Sequence, residues 1–190
     1  MTQEHPWWMK QGGLLQIMVV FVLMALLQGC LLVRTTEHII KINDDRSGEG
    51  VIHLIDIRSD AGSDSLVHRD FDDLMHLVNA KKVDEFERFG RTITSKKLQV
   101  RGDTLMGEVT YIFASLNAID GLRVRRDGLS LIFSPERQII RTNGEVTHDD
   151  KNETIITWDV EAKRLVYVVR EKELPISSSL VPLWLKYANR

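Results

Sequence analysis

Cys30 is the residue whose type and position suggest covalent chemistry. It is the only cysteine in the 190-residue sequence, and it closes the apolar run Leu14 to Cys30, LLQIMVVFVLMALLQGC. A run of this length near the N-terminus fits the hydrophobic core of an export signal, with Gly29 as the small residue at the cleavage position. As residue one of a mature chain, the thiol can carry a diacylglycerol thioether. No second cysteine exists for an intramolecular disulfide. The remaining reactive residue types form no catalytic pattern. The six histidines are His5, His38, His53, His68, His76 and His148, and none has the HExxH spacing that puts two ligands on one helical face. Asn43, Asp45, Ser47 and Glu49 alternate around Gly48 like part of a calcium loop. Leu54 stands where its bidentate Glu belongs, so the stretch reads as a solvated turn. Ser177 to Ser179 lacks a GxSxG elbow, and neither a GxGxxG nor a GxxxxGK[ST] cradle occurs. The expectation is a protein that is not an enzyme and that uses no cofactor or metal.

Binding chemistry is better represented. Arg123 and Arg125 point the same way on an extended segment, with Arg126 beside them. Together with Lys96, Lys97 and Arg101 they form a basic face if their strands are neighbours. Guanidinium groups suit phosphate oxygens, so the functional reading is contact with phospholipid or anionic glycolipid headgroups, against a merely solvated sheet face. A net charge of −2 excludes a chain drawn to nucleic acid by its overall field. Residues 174–190, LPISSSLVPLWLKYANR, offer a second surface. Ser179 suits a helix cap and Pro182 a first turn. Leu180, Val181, Leu183, Trp184, Leu185 and Tyr187 make the segment apolar nearly all round. It is too short to span a bilayer, and is expected against its own domain, in a partner's groove, or at headgroup depth through Trp184 and Tyr187.

The elements that must position these residues follow from periodicity. Residues 1–29 read as the signal, 30–36 as a tether, 37–173 as one extracytoplasmic domain and 174–190 as the apolar C-terminal segment, and the domain is long enough to bury a core. Ile39 to Ile42 and Val51 to Ile57 read as a hairpin across NDDRSGEG. Phe71, Leu74, Met75 and Val78 recur at helical spacing, with Asp70, Asp72 and Asp73 near the expected start, and Val83 to Phe89 is a second helix ended by Gly90. Val109, Tyr111 and Phe113 alternate with Glu108, Thr110 and Ile112 as in a half-buried strand. From Leu122 onward, short strands separated by Asp127-Gly128, Asn143-Gly144 and the turn Glu161 to Arg164 read as a meander, with Asn143-Gly144 a hairpin signal. The expected class is α+β: a curved antiparallel sheet with two or three helices packed on one face.

Leu27-Gln28-Gly29-Cys30 resembles the lipobox of bacterial lipoproteins, with Gln28 in place of the usual small or branched residue. The resemblance implies cleavage before Cys30 and acylation of its sulfur and amine. Leu31 and Leu32 follow, without the Asp that retains Gram-negative lipoproteins at the inner membrane. The resemblance therefore implies the periplasmic face of the outer membrane in a cell with two membranes, and otherwise the outer face of the cytoplasmic membrane. The alternatives are ordinary cleaved export and an uncleaved single-pass anchor. An apolar run extended to Val33 has about 20 residues, the span of a transmembrane helix, and Trp7 and Trp8 suit a membrane interface. In order and spacing, EHIIKINDDRSGEGVIHL, the helical stretch, GEVTYIFASL and the late TIITWDV are also similar to the LppM-like family of lipoproteins. That resemblance implies an extracytoplasmic α+β domain similar to helix-grip lipid-binding proteins, with a role at the cell envelope. Two functions are thus expected of the mature chain. One is binding of a lipid or other hydrophobic ligand in a cavity lined by Phe71, Phe86, Phe89, Tyr111 and Phe113. The other is a scaffold that docks an envelope protein through a sheet edge or an exposed patch around Trp184.

Overall fold

The computed structural model describes residues 31–126 and 128–189. Cys30 and the apolar run before it lie outside the described residues, as does the signal assigned to 1–29. The chain enters the description directly in a strand, β1 (Leu31–Ile42), paired antiparallel with β2 (Gly48–Ser59) from Ile42↔Gly48 to Leu31↔Ser59. Residues 31–36, expected as a tether, are instead the first half of β1. Leu31 and Val33 pack beside a buried apolar cluster, which is why the strand extends back to them.

After β2 come helices α1 (Asp64–Asn79) and α2 (Asp84–Arg88), strands β3 (Arg91–Arg101) and β4 (Thr104–Phe113), and a 3-10 turn at Leu116–Ala118. Strands β5 (Arg123–Val124), β6 (Leu129–Phe133), β7 (Arg137–Thr142), β8 (Glu145–His148), β9 (Thr154–Trp158), β10 (Arg164–Glu171) and β11 (Ser178–Ser179) follow, then helix α3 (Val181–Ala188). The class is α+β with antiparallel pairing throughout.

The single meander expected after Leu122 is corrected to two sheets. The seven-stranded sheet runs β3-β4-β2-β1-β10-β7, with β11 on the end of β2, and the four-stranded sheet runs β5-β6-β9-β8. Asn143-Gly144 closes no hairpin, because β7 pairs with β10 while β8 pairs with β9. The dipeptide is where the chain changes sheets. A Cβ on Gly144 would lie 2.7 Å from both Ile156 and Trp158, so only glycine fits this crossing. Asn143 spends its amide on both sheets: Oδ1 accepts from Trp158 Nε1 at 2.8 Å and Val166 N at 2.7 Å, and Nδ2 donates to the Arg164 carbonyl at 2.8 Å.

One buried cluster joins Ile40, Ile52, Tyr111, Leu165 and Tyr167 of the large sheet to Leu129, Leu131, Phe133, Ile156 and Trp158 of the small one. A second joins Val67, Phe71, Leu74 and Met75 of α1 and Leu180 before α3 to Ile57 and Leu105. A kink in β2 supplies both. Gly50 and Ile52 are buried, but beyond Asp56, which has φ 63°, the buried residues are Ile57 and Ser59. The left-handed residue slips the alternation by one. Leu54 and Ile57 therefore both meet Gly107 of β4, which would place a Cβ 3.4 and 3.2 Å from their Cδ1 atoms. Asp70 lies within α1 rather than near its start, because the helix begins at Asp64. It is buried, and its Oδ2 accepts from Ser59 Oγ at 2.5 Å, tying α1 to the end of β2.

Candidate functional site

Two cavities open on either side of Phe86. The first is an apolar cleft of about 220 Å³ between α1, α2 and strands β2, β3 and β4. Its walls include Leu54, Leu74, Val78, Phe86, Ile93 and Val109, with Leu77 and Val83 on the helical side and Lys96, Lys97 and Glu108 as its charged members. Lys96 is spent on structure. Its Nζ donates to the Leu77 and Ala80 carbonyls and so caps the C-terminal end of α1. Lys97 pairs with Glu108 at 3.5 Å.

The second cavity, about 410 Å³, lies between the two sheets and mixes aromatic, aliphatic and cationic walls. Gly90, with φ 76°, follows α2 and turns the chain so that Arg91 opens β3. The Arg91 guanidinium carbon lies 4.4 Å from the Phe86 ring centroid, 5.5 Å from Phe89 and 5.6 Å from Tyr111. The Phe86 ring, a wall of the cleft, stands edge-on at 5.8 Å to Tyr111, a wall of the cavity, so these two rings lie between cleft and cavity. Arg34 and Arg137 also line the cavity, each with a carboxylate: Arg34 with Asp56 at 3.7 Å and Arg137 with Glu171 at 3.0 Å. His38 shares the inward phase of Ile40 and Ile42 and stacks on Tyr167 at 4.5 Å and 11°. Burial, with the positive charges of Arg91 and Arg137 added, pushes its pKa down to about 4, so the ring is neutral near neutral pH. Burial pushes the Tyr167 hydroxyl well above the usual phenol range. It raises Tyr111 too, against the opposing charge of Arg91.

The large sheet also carries an alternating charge row. Lys97, Glu108, His53 and Glu37 are successive cross-strand partners, and Arg141 reaches Glu37 from β7. His53 bridges two carboxylates, Nδ1 to Glu37 at 2.8 Å and Nε2 to Glu108 at 3.4 Å. The His53 hydrogen bond, helped by Arg141 and opposed by burial, holds the Glu37 carboxyl below its usual range. Opposite charges directly across strands stabilise the pairing, which accounts for the row as structure.

The residues singled out from sequence fall in separate places. Arg123, Arg125 and Arg126 are exposed at and just past β5, an edge of the small sheet, whereas Lys96, Lys97 and Arg101 lie on β3, an edge of the large one. Trp184 is half-buried against the second cluster and stacks on Tyr187 at 5.9 Å, while Tyr187 meets Phe71 at 6.3 Å. Leu180 is fully buried just before α3, so the C-terminal segment docks on its own domain. The five aromatics expected around one cavity are divided. Phe71 and Phe113 are core, Phe86 walls the cleft, Tyr111 walls the inter-sheet cavity, and Phe89 is 44% exposed. In the loop 43–47, Asp45 accepts from the Ser47 amide and hydroxyl, as a polar turn does. Cys30 lies outside the described residues.

Sequence reasoning missed Arg91, Arg137 and the inward orientation of His38. The signal for His38 was its phase with Ile40 and Ile42. For Arg91 it was the phase shared with Ile93, which a bulge between Ile93 and Ser95 hides from the rest of β3. The chain matches no protein-family model, no curated protein and no solved structure.

Proposed function

We propose that this is a lipid-anchored envelope protein whose domain binds, without catalysis, the alkyl part of a lipid or another hydrophobic ligand in the cleft beneath α1 and α2. The observation that supports this reading is the cleft itself, an apolar recess that the protein's own side chains leave between helices and sheet. Protein interiors leave few voids larger than a water molecule, and a recess with apolar walls favours an apolar occupant. At about 220 Å³ it suits one alkyl chain. In this reading α1, α2 and α3 cover one face of the large sheet, and acylated Cys30 holds the protein to its membrane. Because Leu31 is already paired with Ser59, such an anchor would set that end of the sheet close to the bilayer surface.

Leu77 is 47% exposed and lines the cleft from α1, so Leu77→Trp narrows the cleft without opening the core. Lipid extracted from full-length protein purified in detergent is expected to contain a bound species. Leu77→Trp should retain less than about a third of it at unchanged thermal stability, since the added ring occupies the alkyl site. Equal retention in both proteins, or no bound species in either, contradicts the cleft as the site. A scaffold role is the second reading, and one observation favours it: Ile176, Leu185 and Tyr187 are exposed apolar residues in and just before α3, with Ile176 99% exposed. A protein partner held there would be retained by Leu77→Trp.

A further inference from the structure

Among the described residues, Arg91 is a cation without a carboxylate counter-ion. Its Nε is buried and makes no hydrogen bond. Three aromatic faces surround it at 4.4 to 5.6 Å and supply part of the lost hydration through cation–π attraction. A guanidinium stays charged at any pH the protein meets, so it cannot escape burial by titrating. The Tyr111 hydroxyl hydrogen-bonds to the guanidinium, but Nε has no partner, and a guanidinium has five in-plane N–H donors, so donors that fit a carboxylate or phosphate remain. The same cavity holds two further arginines, Arg137 and Arg34, the latter paired with Asp56, and the side chains of Tyr111 and Tyr167, whose raised pKa values keep their hydroxyls protonated. His38 is neutral there, so it neither repels nor replaces a ligand charge. The carboxylates that line the cavity are Asp120, which is exposed, and Glu171, which Arg137 already engages. Ile119, Leu131, Phe133 and Val169 complete the wall with apolar surface.

We propose that the inter-sheet cavity is a second binding site, for a small anionic group of the phosphate or carboxylate type, held by the Arg91 guanidinium with Arg137 and the tyrosine hydroxyls around it. The site stands on its own residues and does not rest on the apolar cleft. With Arg91 stacked on the Phe86 ring that walls the cleft, the two sites are placed to share one amphiphile, its anionic head on Arg91 and its chain beneath α1.

Isothermal titration of the full-length protein in detergent with octyl phosphate, inorganic phosphate and octanol tests this. Octyl phosphate is expected to bind, and Arg91→Gln to weaken it by about tenfold or more, because a charge-assisted bond is lost. Arg137→Gln should weaken it less, since Glu171 already shares that charge, and octanol should not distinguish wild type from either variant. Octyl phosphate binding far above inorganic phosphate identifies an amphiphile headgroup as the occupant, while equal affinities identify a free anion. Binding of inorganic phosphate should be unchanged in Leu77→Trp, so failure of the cleft and failure of this site register separately. Absence of binding by both phosphates overturns the proposal. So does an affinity unchanged in Arg91→Gln or, where that chain does not fold, unchanged in Arg137→Gln.

Discussion

Gly50→Ala is expected to destabilise the protein by about 2–3 kcal/mol, the upper part of the range for overpacking a core. Gly50 is buried in β2, directly across from Tyr111 of β4, and the Tyr111 ring lies over its Cα. A Cβ there would stand 2.2 Å from the ring's Cζ and 2.4 Å from its hydroxyl oxygen. The ring is 1% exposed and bounded by Phe86 and Phe113 at 5.8 and 6.4 Å, so to make room it must leave these contacts and swing into the inter-sheet cavity. For a domain of this size the loss lowers Tm by roughly 4–10 °C. Shrinking the ring should restore part of it: the double variant Gly50→Ala with Tyr111→Leu is expected to cost less than the two single changes added together, because the same contact accounts for both losses. Additive costs, or a Gly50→Ala protein as stable as wild type, would contradict the packing described for Tyr111. The change also bears on binding, since Tyr111 is a wall of the inter-sheet cavity.

Asn143→Ala is expected to cost about 1–2 kcal/mol in urea unfolding, because it removes the acceptor from part-buried donors on two sheets at once. The Trp158 indole N–H belongs to β9 of the small sheet and the Val166 amide to β10 of the large one, and both donate to the same Oδ1. Trp158 is 4% exposed, but Asn143 itself is exposed, so water can take over part of what Oδ1 supplies and the cost stays below that of two fully buried donors. Asn143→Asp keeps the acceptor and loses only the donor to the Arg164 carbonyl, so it should fall between alanine and wild type. An alanine variant within about 0.5 kcal/mol of wild type, the ordinary range of surface substitutions, would mean that the apolar cluster alone holds the sheets together.

These two positions mark how far the sequence can be read. The β1–β2 hairpin, the apolar face of α1 and the alternation Val109-Tyr111-Phe113 were legible, because each is a local pattern of side chains or turn residues. Which strands pair was not. Alternation along β7 and β10 is the same whether they join one meander or leave it for another sheet, and the choice is made by the tight approach at Gly144 and the amide of Asn143. Asn-Gly reads as a hairpin because that is its commonest local use, while here the tertiary arrangement needs the same two residues for a crossing. The slip of alternation at Asp56 was equally invisible, since an isolated aspartate in a strand carries no mark of φ 63°. At the candidate site, exposed charge drew attention to Arg123, Arg125 and Arg126. The half-buried Arg91 was hidden by a bulge and is recognisable only once Phe86, Phe89 and Tyr111 are seen around it. Lys96 shows the converse, a basic residue spent on a helix end.

The central claim, an acylated envelope protein carrying a lipid-type ligand, is tested most directly by native and denaturing mass spectrometry of the full chain extracted from its membrane. The expected denatured mass begins at Cys30 and includes acyl chains, and the expected native mass exceeds it by a single species removed by denaturation. A denatured mass that begins at Met1 without modification, and a native mass equal to it, would contradict both the anchor and the ligand.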